Sequence, residues 1–176
     1  MGGLSAVRAI LGKLPKTFSL PIAIVQHRDK NSMDPLSIYL QSYSALKVNE
    51  VTDKDNIIPG EVYVAPANYH LLIEDGWFSL SVGVPVCYAR PSIDVLFESA
   101  AFVYDKRVIG IILTGANQDG TVGLNMIKKY GGLTIAQDPR TAENRTMIDS
   151  AISSLAVDKV IPLASIGDFL IRICCQ

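Results

Sequence analysis

Val108-Ile-Gly-Ile-Ile-Leu-Thr-Gly-Ala-Asn-Gln-Asp-Gly-Thr-Val-Gly123 decides the fold class of this 176-residue chain. Its apolar opening shows no polar alternation, the pattern of a strand covered on both faces of a parallel sheet. The run breaks at Thr114-Gly115 into a short polar loop carrying Asp119 and Gly120. A helical segment, Thr121 to Tyr130, follows at once, and Gly131-Gly132 stops it. In open α/β sheets the chemistry gathers where a strand's carboxyl end meets the next helix's amino end. Asp119 stands at that junction. A short carboxylate there can also simply cap the helix that follows it.

Outward from this stretch, other segments repeat the strand-then-helix logic. Leu20-Pro-Ile-Ala-Ile-Val-Gln-His27 reads as a buried strand ending in two polar groups, with a helix expected over 33–43. Lys47 to Val51 and Glu61 to Ala65 read as short strands. Asp75-Gly76 between two strand-forming runs is a hairpin signal, which predicts an antiparallel element and hence a mixed sheet. Ser92-Ile93-Asp94 opens a helix that Ser92 could cap, and Leu133 to Ala136 is the next strand. A helix over 147–155, an edge segment over 158–163 and a last helix over 165–173 complete the pattern. The amino end is unusual, because Gly2-Gly3 leads directly into a helical spacing at Leu4, Val7, Ile10, Leu11 and Leu14. Helices of α/β domains normally follow a sheet strand, so either the first link is missing or the fold begins with a helix.

Composition bounds the function classes. At 49% hydrophobic, 19% charged and a formal charge of −1, the chain has no general attraction for nucleic acid or anionic membrane. No apolar run approaches a membrane span, and the amino end lacks the features of a secretory signal. Cys87, Cys174 and Cys175 offer neither a disulfide framework nor metal-ligand spacing, so a reducing cytoplasm and no metal or cofactor are expected. Gly115 to Gly120 has the glycines of a phosphate loop but not its Lys-Ser or Lys-Thr.

The chain has two histidines, His27 and His70. His27 shares the topological position of Asp119, and a carboxylate beside an imidazole can fix its tautomer and stabilise the imidazolium. A surface or structural role is the alternative for His27, and a hydrogen-bonded structural role fits His70 at its turn. Arg90 could pair with Asp94 or with an anionic group of a partner, or stand as a solvated charge. A nucleophile is harder to find. Ser5 is the nearest candidate in sequence, but it falls inside the first helix, where its hydroxyl tends to turn back to a carbonyl.

Several stretches taken together resemble a known family. They are Gly2-Gly3 with its Ala-containing helix, Val25-Gln-His27, Val62-Tyr-Val-Ala-Pro66 with Asn68 and His70, and Pro91-Ser-Ile-Asp-Val-Leu-Phe-Glu-Ser-Ala100. Leu113-Thr-Gly115 through Asp119-Gly120 and Gly123, and Gly132-Leu-Thr-Ile-Ala-Gln-Asp138, complete the set. In this order and spacing they resemble the catalytic domain of CheB-type protein-glutamate methylesterases, over nearly the whole chain. The resemblance implies a three-layer, doubly wound, mostly parallel α/β fold with an antiparallel hairpin. It implies a single domain over 1–176, without a receiver domain. It implies hydrolysis of glutamate methyl esters on receptor-type proteins, with deamidation of glutamine as a further activity, by a Ser-His-Asp triad. His27 and Asp119 match two members of that triad, and the amides around Gly2 and Gly3 match the oxyanion region. The family's serine would lie one residue ahead of Met1, and Ser5 does not match it. Either the natural protein starts further upstream and carries the serine, or this is an inactive relative retained as a receptor- or partner-binding module. Ala116 and Met147 fall on the expected rim of the site, and Ala116 and the Thr146-Met147-Ile148 triplet depart from the family's usual residues there.

Overall fold

The computed structural model describes residues 2–29 and 36–174. The elements in chain order are α1 (Gly3–Leu11), β1 (Ile22–Ile24), α2 (Leu36–Gln41), β2 (Lys47–Glu50), β3 (Glu61–Val64), β4 (His70–Glu74) and β5 (Trp77–Ser81). They continue with α3 (Ile93–Tyr104), β6 (Ile109–Ile112), α4 (Thr121–Lys129), β7 (Leu133–Gln137), α5 (Thr146–Ser153), β8 (Lys159–Ile161) and α6 (Leu163–Cys174), with single 3-10 turns before β6 and after β7. The start of the helix expected over 33–43 lies outside the described residues; its described part is α2.

The strands form two parallel three-stranded sheets, ordered β1-β3-β2 and β6-β7-β8. The hairpin corrects one expectation. β4 and β5 reverse at Asp75–Gly76, with Gly76 at φ +87°, but pair with each other as a separate sheet. The parallel sheets are therefore not made mixed by it. The hairpin instead packs Leu71 and Phe78 over Tyr63, Ala65 and Leu96, with the Tyr63 and Phe78 rings 4.7 Å apart.

Alternation along the strands builds the three layers. Ile22 and Ile24 of β1 join Ile109 and Ile111 of β6 on one face, beneath α1 and α6, through Ile10, Leu11, Ile166 and Leu170. The opposite face takes Ile112 and Ala136 against α4 and α5, and Ala23 and Val25 toward the hairpin and α3. One helical layer thus spans both sheets, which places them in a common plane. Between the β1 and β6 edges, however, an apolar cleft of ≈ 420 Å³ remains open. This is why Ile109 and Ile111 are only half-buried, where the sequence pattern predicts full cover on both faces.

α3 and α4 approach closely at Gly123. A Cβ there would lie 2.5 Å from Phe97 Cβ, 2.9 Å from the Asp94 carbonyl oxygen and 3.1 Å from Asp94 Cα. Backbone cannot yield as a flexible side chain can, so Gly123→Ala must separate the helices. We expect it to destabilise the protein by about 1–3 kcal/mol, the range for overpacking. A urea unfolding series would show this as a lowered midpoint.

Candidate functional site

The carboxyl ends of the two sheets meet at one rim. His27, just beyond β1, and Asp119, in the loop after β6, are joined by a His27 Nε2 to Asp119 Oδ2 contact of 2.6 Å. The imidazole is partly exposed, whereas the carboxylate is fully buried. With Nε2–H donated to Asp119, Nδ1 keeps its lone pair, with Asn117 Nδ2 3.5 Å away, and His27 and Asn117 both line the cleft.

What holds Asp119 is a set of donors from a helix other than its own. Asp119 Oδ1 accepts from the Ser92 hydroxyl at 2.7 Å and from the Asp94 N–H at 3.1 Å. Oδ2 accepts from the Ile93 N–H at 2.7 Å as well as from His27. A helix's first N–H groups lack intrahelical partners, and an anion satisfies them well. Asp119 is therefore a cap, but of α3 and not of the helix that follows it. α4 has Gly120, with φ +96°, at its N-cap instead, and its Gly123 N–H donates to Asp94 Oδ1 at 2.8 Å. The two helices cap one another: the carboxylate before α4 serves α3, and the carboxylate on α3 serves α4.

The two buried carboxyls are shifted in opposite directions. Burial pushes Asp119 up, but the donors from His27, Ile93, Ser92 and Asp94 outweigh it and hold the carboxyl below its usual range. Burial dominates for Asp94 and raises it, with the Asp119 charge adding to the rise and the Gly123 N–H opposing it. Cys87 reaches the same corner: its sulfur and one oxygen from each of Asp94 and Asp119 lie within 4.8 Å of one another. Burial and those two carboxylates push the Cys87 thiol up, away from the thiolate that a nucleophile or metal ligand requires. Both Asp119 oxygens and Asp94 Oδ1 already accept from N–H and O–H donors, so the grouping is a hydrogen-bonded corner of the protein's own making.

The sequence expectation that Ser92 caps α3 through its side chain is corrected: its hydroxyl makes no cap bond and is spent on Asp119. Behind it, the Ser92 N–H donates to His70 Nδ1 at 3.2 Å, and His70 Nε2 donates to the Val84 carbonyl at 3.0 Å. His70 is thus the buried structural histidine its turn position suggests. Arg90 does not pair with Asp94. Its guanidinium donates to Asn68 Oδ1 and to the carbonyls of Val82 and Gly83, pinning the segment after the hairpin.

Gly2 and Gly3 stand at the same rim. A Cβ on Gly2, at φ +87°, would meet Glu143 and Thr114, and one on Gly3 would meet only the movable end of Gln26, so the chain passes between the ends of β6 and β1. Gly2, at φ +87°, caps α1, whose first amides open at that rim. Met147 is buried against Gly115, and Ala116 is exposed; both line the cleft. Ser5 is exposed on α1 and is not among the residues lining the cleft. Among the described residues no hydroxyl or thiol is hydrogen-bonded to the His27 ring, whose polar contacts are Asp119 and Asn117. The sequence does not single out Asn117 and marks Ser92 only as a helix cap, since the contacts of Asn117 to His27 and of Ser92 to Asp119 join positions far apart along the chain. None of the helices is long and apolar enough to cross a membrane, among the described residues.

Comparison with known proteins carries the same pattern over nearly the whole of this chain. The crystal structure of the Thermotoga maritima CheB methylesterase catalytic domain superposes with a TM-score of 0.93 and 36% identity, covering 98% of this chain and 93% of that one. A Leptospira interrogans relative, which carries the provisional name of a protein-glutamate methylesterase/protein-glutamine glutaminase, is 49% identical over 173 residues, 98% of this chain and 90% of its own length. A protein-glutamate methylesterase/protein-glutamine glutaminase of Carboxydothermus hydrogenoformans is 41% identical over 173 residues, of which this chain spans about half, 51%. With the profile of the CheB methylesterase family matching residues 1–170, and the sheet ends meeting at a histidine and an aspartate, the chain belongs to that family.

Proposed function

We propose that the domain hydrolyses γ-methyl esters of glutamate side chains in a methylated receptor or similar cytoplasmic protein, and deamidates glutamines at equivalent positions. The observation that carries this reading is the 2.6 Å contact between His27 and the buried, ionised Asp119 at the open rim. A serine hydroxyl supplied from beyond these residues, next to Gly2, attacks the ester carbonyl. His27 Nδ1 takes its proton as the C–O bond to serine forms, and Asp119 stabilises the imidazolium. The oxyanion falls toward the first amides of α1, which are free donors at the helix's positive end. His27 then returns the proton to the departing methoxide, releasing methanol. Water, deprotonated by the same imidazole, frees the carboxylate and regenerates serine.

On this reading the 176-residue chain by itself holds two parts of a triad and does not turn over. Methanol release from a methylated receptor should stay at background with the chain alone and appear when the upstream serine is included. Turnover by the chain alone, at the rate of the serine-bearing polypeptide, would overturn the role given to that serine. The second reading, an inactive module that binds a receptor or partner, draws on the lack of any described hydroxyl bonded to His27. It is separated by the same assay: binding to the receptor with no turnover in the longer polypeptide favours it.

A further inference from the structure

The imidazole of His27 meets one loop on both of its nitrogens. Asp119 Oδ2 takes Nε2 at 2.6 Å, and Asn117 Nδ2 stands 3.5 Å from Nδ1. The Asn117 side chain is oriented by its own neighbour. Its Oδ1 accepts the Asp119 N–H at 3.2 Å, an Asx turn that occupies the oxygen and leaves the NH2 group toward the ring. A separation of 3.5 Å is the outer limit of a hydrogen bond, so the amide does not consume the Nδ1 lone pair. It sets a donor beside it. Asn117 and His27 are both partly exposed, so a substrate meets them together.

On the hydrolase reading, that donor stands where the leaving group must be. Nδ1 passes the proton it took from serine to the leaving atom, which therefore comes within about 3 Å of Nδ1. Because the two nitrogens are 3.5 Å apart, an atom so placed can lie equally close to Asn117 Nδ2. The two substrates differ at this atom. In the tetrahedral adduct of an ester, the methoxy oxygen carries two lone pairs. One accepts from Asn117. The other takes the His27 proton as the C–O bond breaks with its electron pair moving to oxygen, and methanol leaves. In the adduct of a carboxamide, the nitrogen carries two N–H groups and a single lone pair. That pair takes the proton as the C–N bond breaks with its electrons moving to nitrogen, and ammonia leaves. Nothing remains to accept from Asn117, whose N–H groups face those of the substrate. Asn117 has no acceptor to offer in exchange, since its oxygen is turned to the Asp119 N–H.

We propose that Asn117 is a specificity-determining residue: its Nδ2–H donates to the leaving oxygen of a glutamate methyl ester and disfavours the leaving nitrogen of a glutamine, biasing the domain toward demethylation. This rests on the hydrolase function proposed above and adds to it a residue that separates its two reactions.

The test compares a polypeptide that carries the serine with its Asn117→Ala and Asn117→Asp variants. Each is given one receptor prepared in two forms, with glutamate methyl ester or glutamine at the same position, and methanol and ammonia are followed. The quantity read is kcat/KM for the ester divided by kcat/KM for the amide. Esters are the more reactive in any case, so the change in this ratio carries the test and not the parent's own value. Both reactions use the same imidazole, so a structural defect, or the effect of the new charge in Asn117→Asp on His27, acts on both and cancels in the ratio. Asn117→Ala should lower the ratio by roughly tenfold, the worth of one hydrogen bond made to one transition state and not to the other. Asn117→Asp keeps an acceptor for the Asp119 N–H and replaces the donor by an acceptor for the leaving nitrogen, so it should lower the ratio further. A ratio that stays within twofold of the parent in both variants, or that rises, overturns the role of Asn117 and leaves the hydrolase reading standing. A parent that releases neither methanol nor ammonia defeats the hydrolase reading itself, and the assignment of Asn117 falls with it.

Discussion

Asp119→Ala lowers the thermal midpoint by on the order of 10 °C, the largest loss of stability we expect from any single change at the rim. The carboxylate is fully buried and receives the Ser92 hydroxyl, the Ile93 and Asp94 amides and His27. Alanine leaves a buried hydroxyl and two helix-end amides without acceptors, and together these cost roughly 3–5 kcal/mol. The pH dependence carries the signature. Asp119 is held below its usual range when folded, so its stabilisation is present above the unfolded carboxyl's pKa and is lost as pH falls through the folded value. Asp94 is raised, so its contribution runs oppositely: full below the unfolded pKa and lost as pH rises through the folded one. Wild type and Asp119→Ala should therefore differ most near neutrality and converge in acid. Urea melts from pH 7 downward check this, and a gap that stays constant into acid would contradict it.

His27→Gln, made in a polypeptide that carries the serine, should lower methanol release from methylated receptor by about 10⁴-fold with little change in KM. Glutamine has no group that takes and returns a proton near neutrality, so the attack and the departure of methoxide both lose their catalyst. Because the imidazole is partly exposed and Asp119 keeps its donors from Ser92, Ile93 and Asp94, folding should hardly change. Activity within tenfold of the parent would remove His27 from the reaction. A comparable fall in both activity and melting temperature would make it a structural residue.

Much of this arrangement could be read from local pattern. Buried parallel strands show as apolar runs at Ile109 to Ile112 and Ile22 to Ile24, and Asp75-Gly76 marks its reversal directly. Gly131 stops α4 in the left-handed conformation that its position suggests. The meeting of His27 and Asp119 at one rim follows from their places at strand ends, a topological rule that needs no side-chain detail. Partner choice was not legible. Ser92 looks locally like a cap, yet its hydroxyl finds a carboxylate 27 positions away, and Asp119 serves the wrong helix for any rule based on neighbours. Arg90 likewise passes over the nearby Asp94 for Asn68 and two carbonyls. The hairpin's isolation from the parallel sheets depends on where Phe78 and Leu71 find cover, which a two-residue turn signal does not encode.

The crossed capping of α3 and α4 makes the site hard to assemble piecemeal. Neither helix end is satisfied until the other has docked, so the aspartate reaches its place at the rim only when both segments have arrived. A partly folded chain would expose a mobile carboxylate of ordinary acidity, unable to steer an imidazole. On the proposed function, competence for proton transfer is in this sense a readout of completed tertiary structure, a safeguard against premature chemistry.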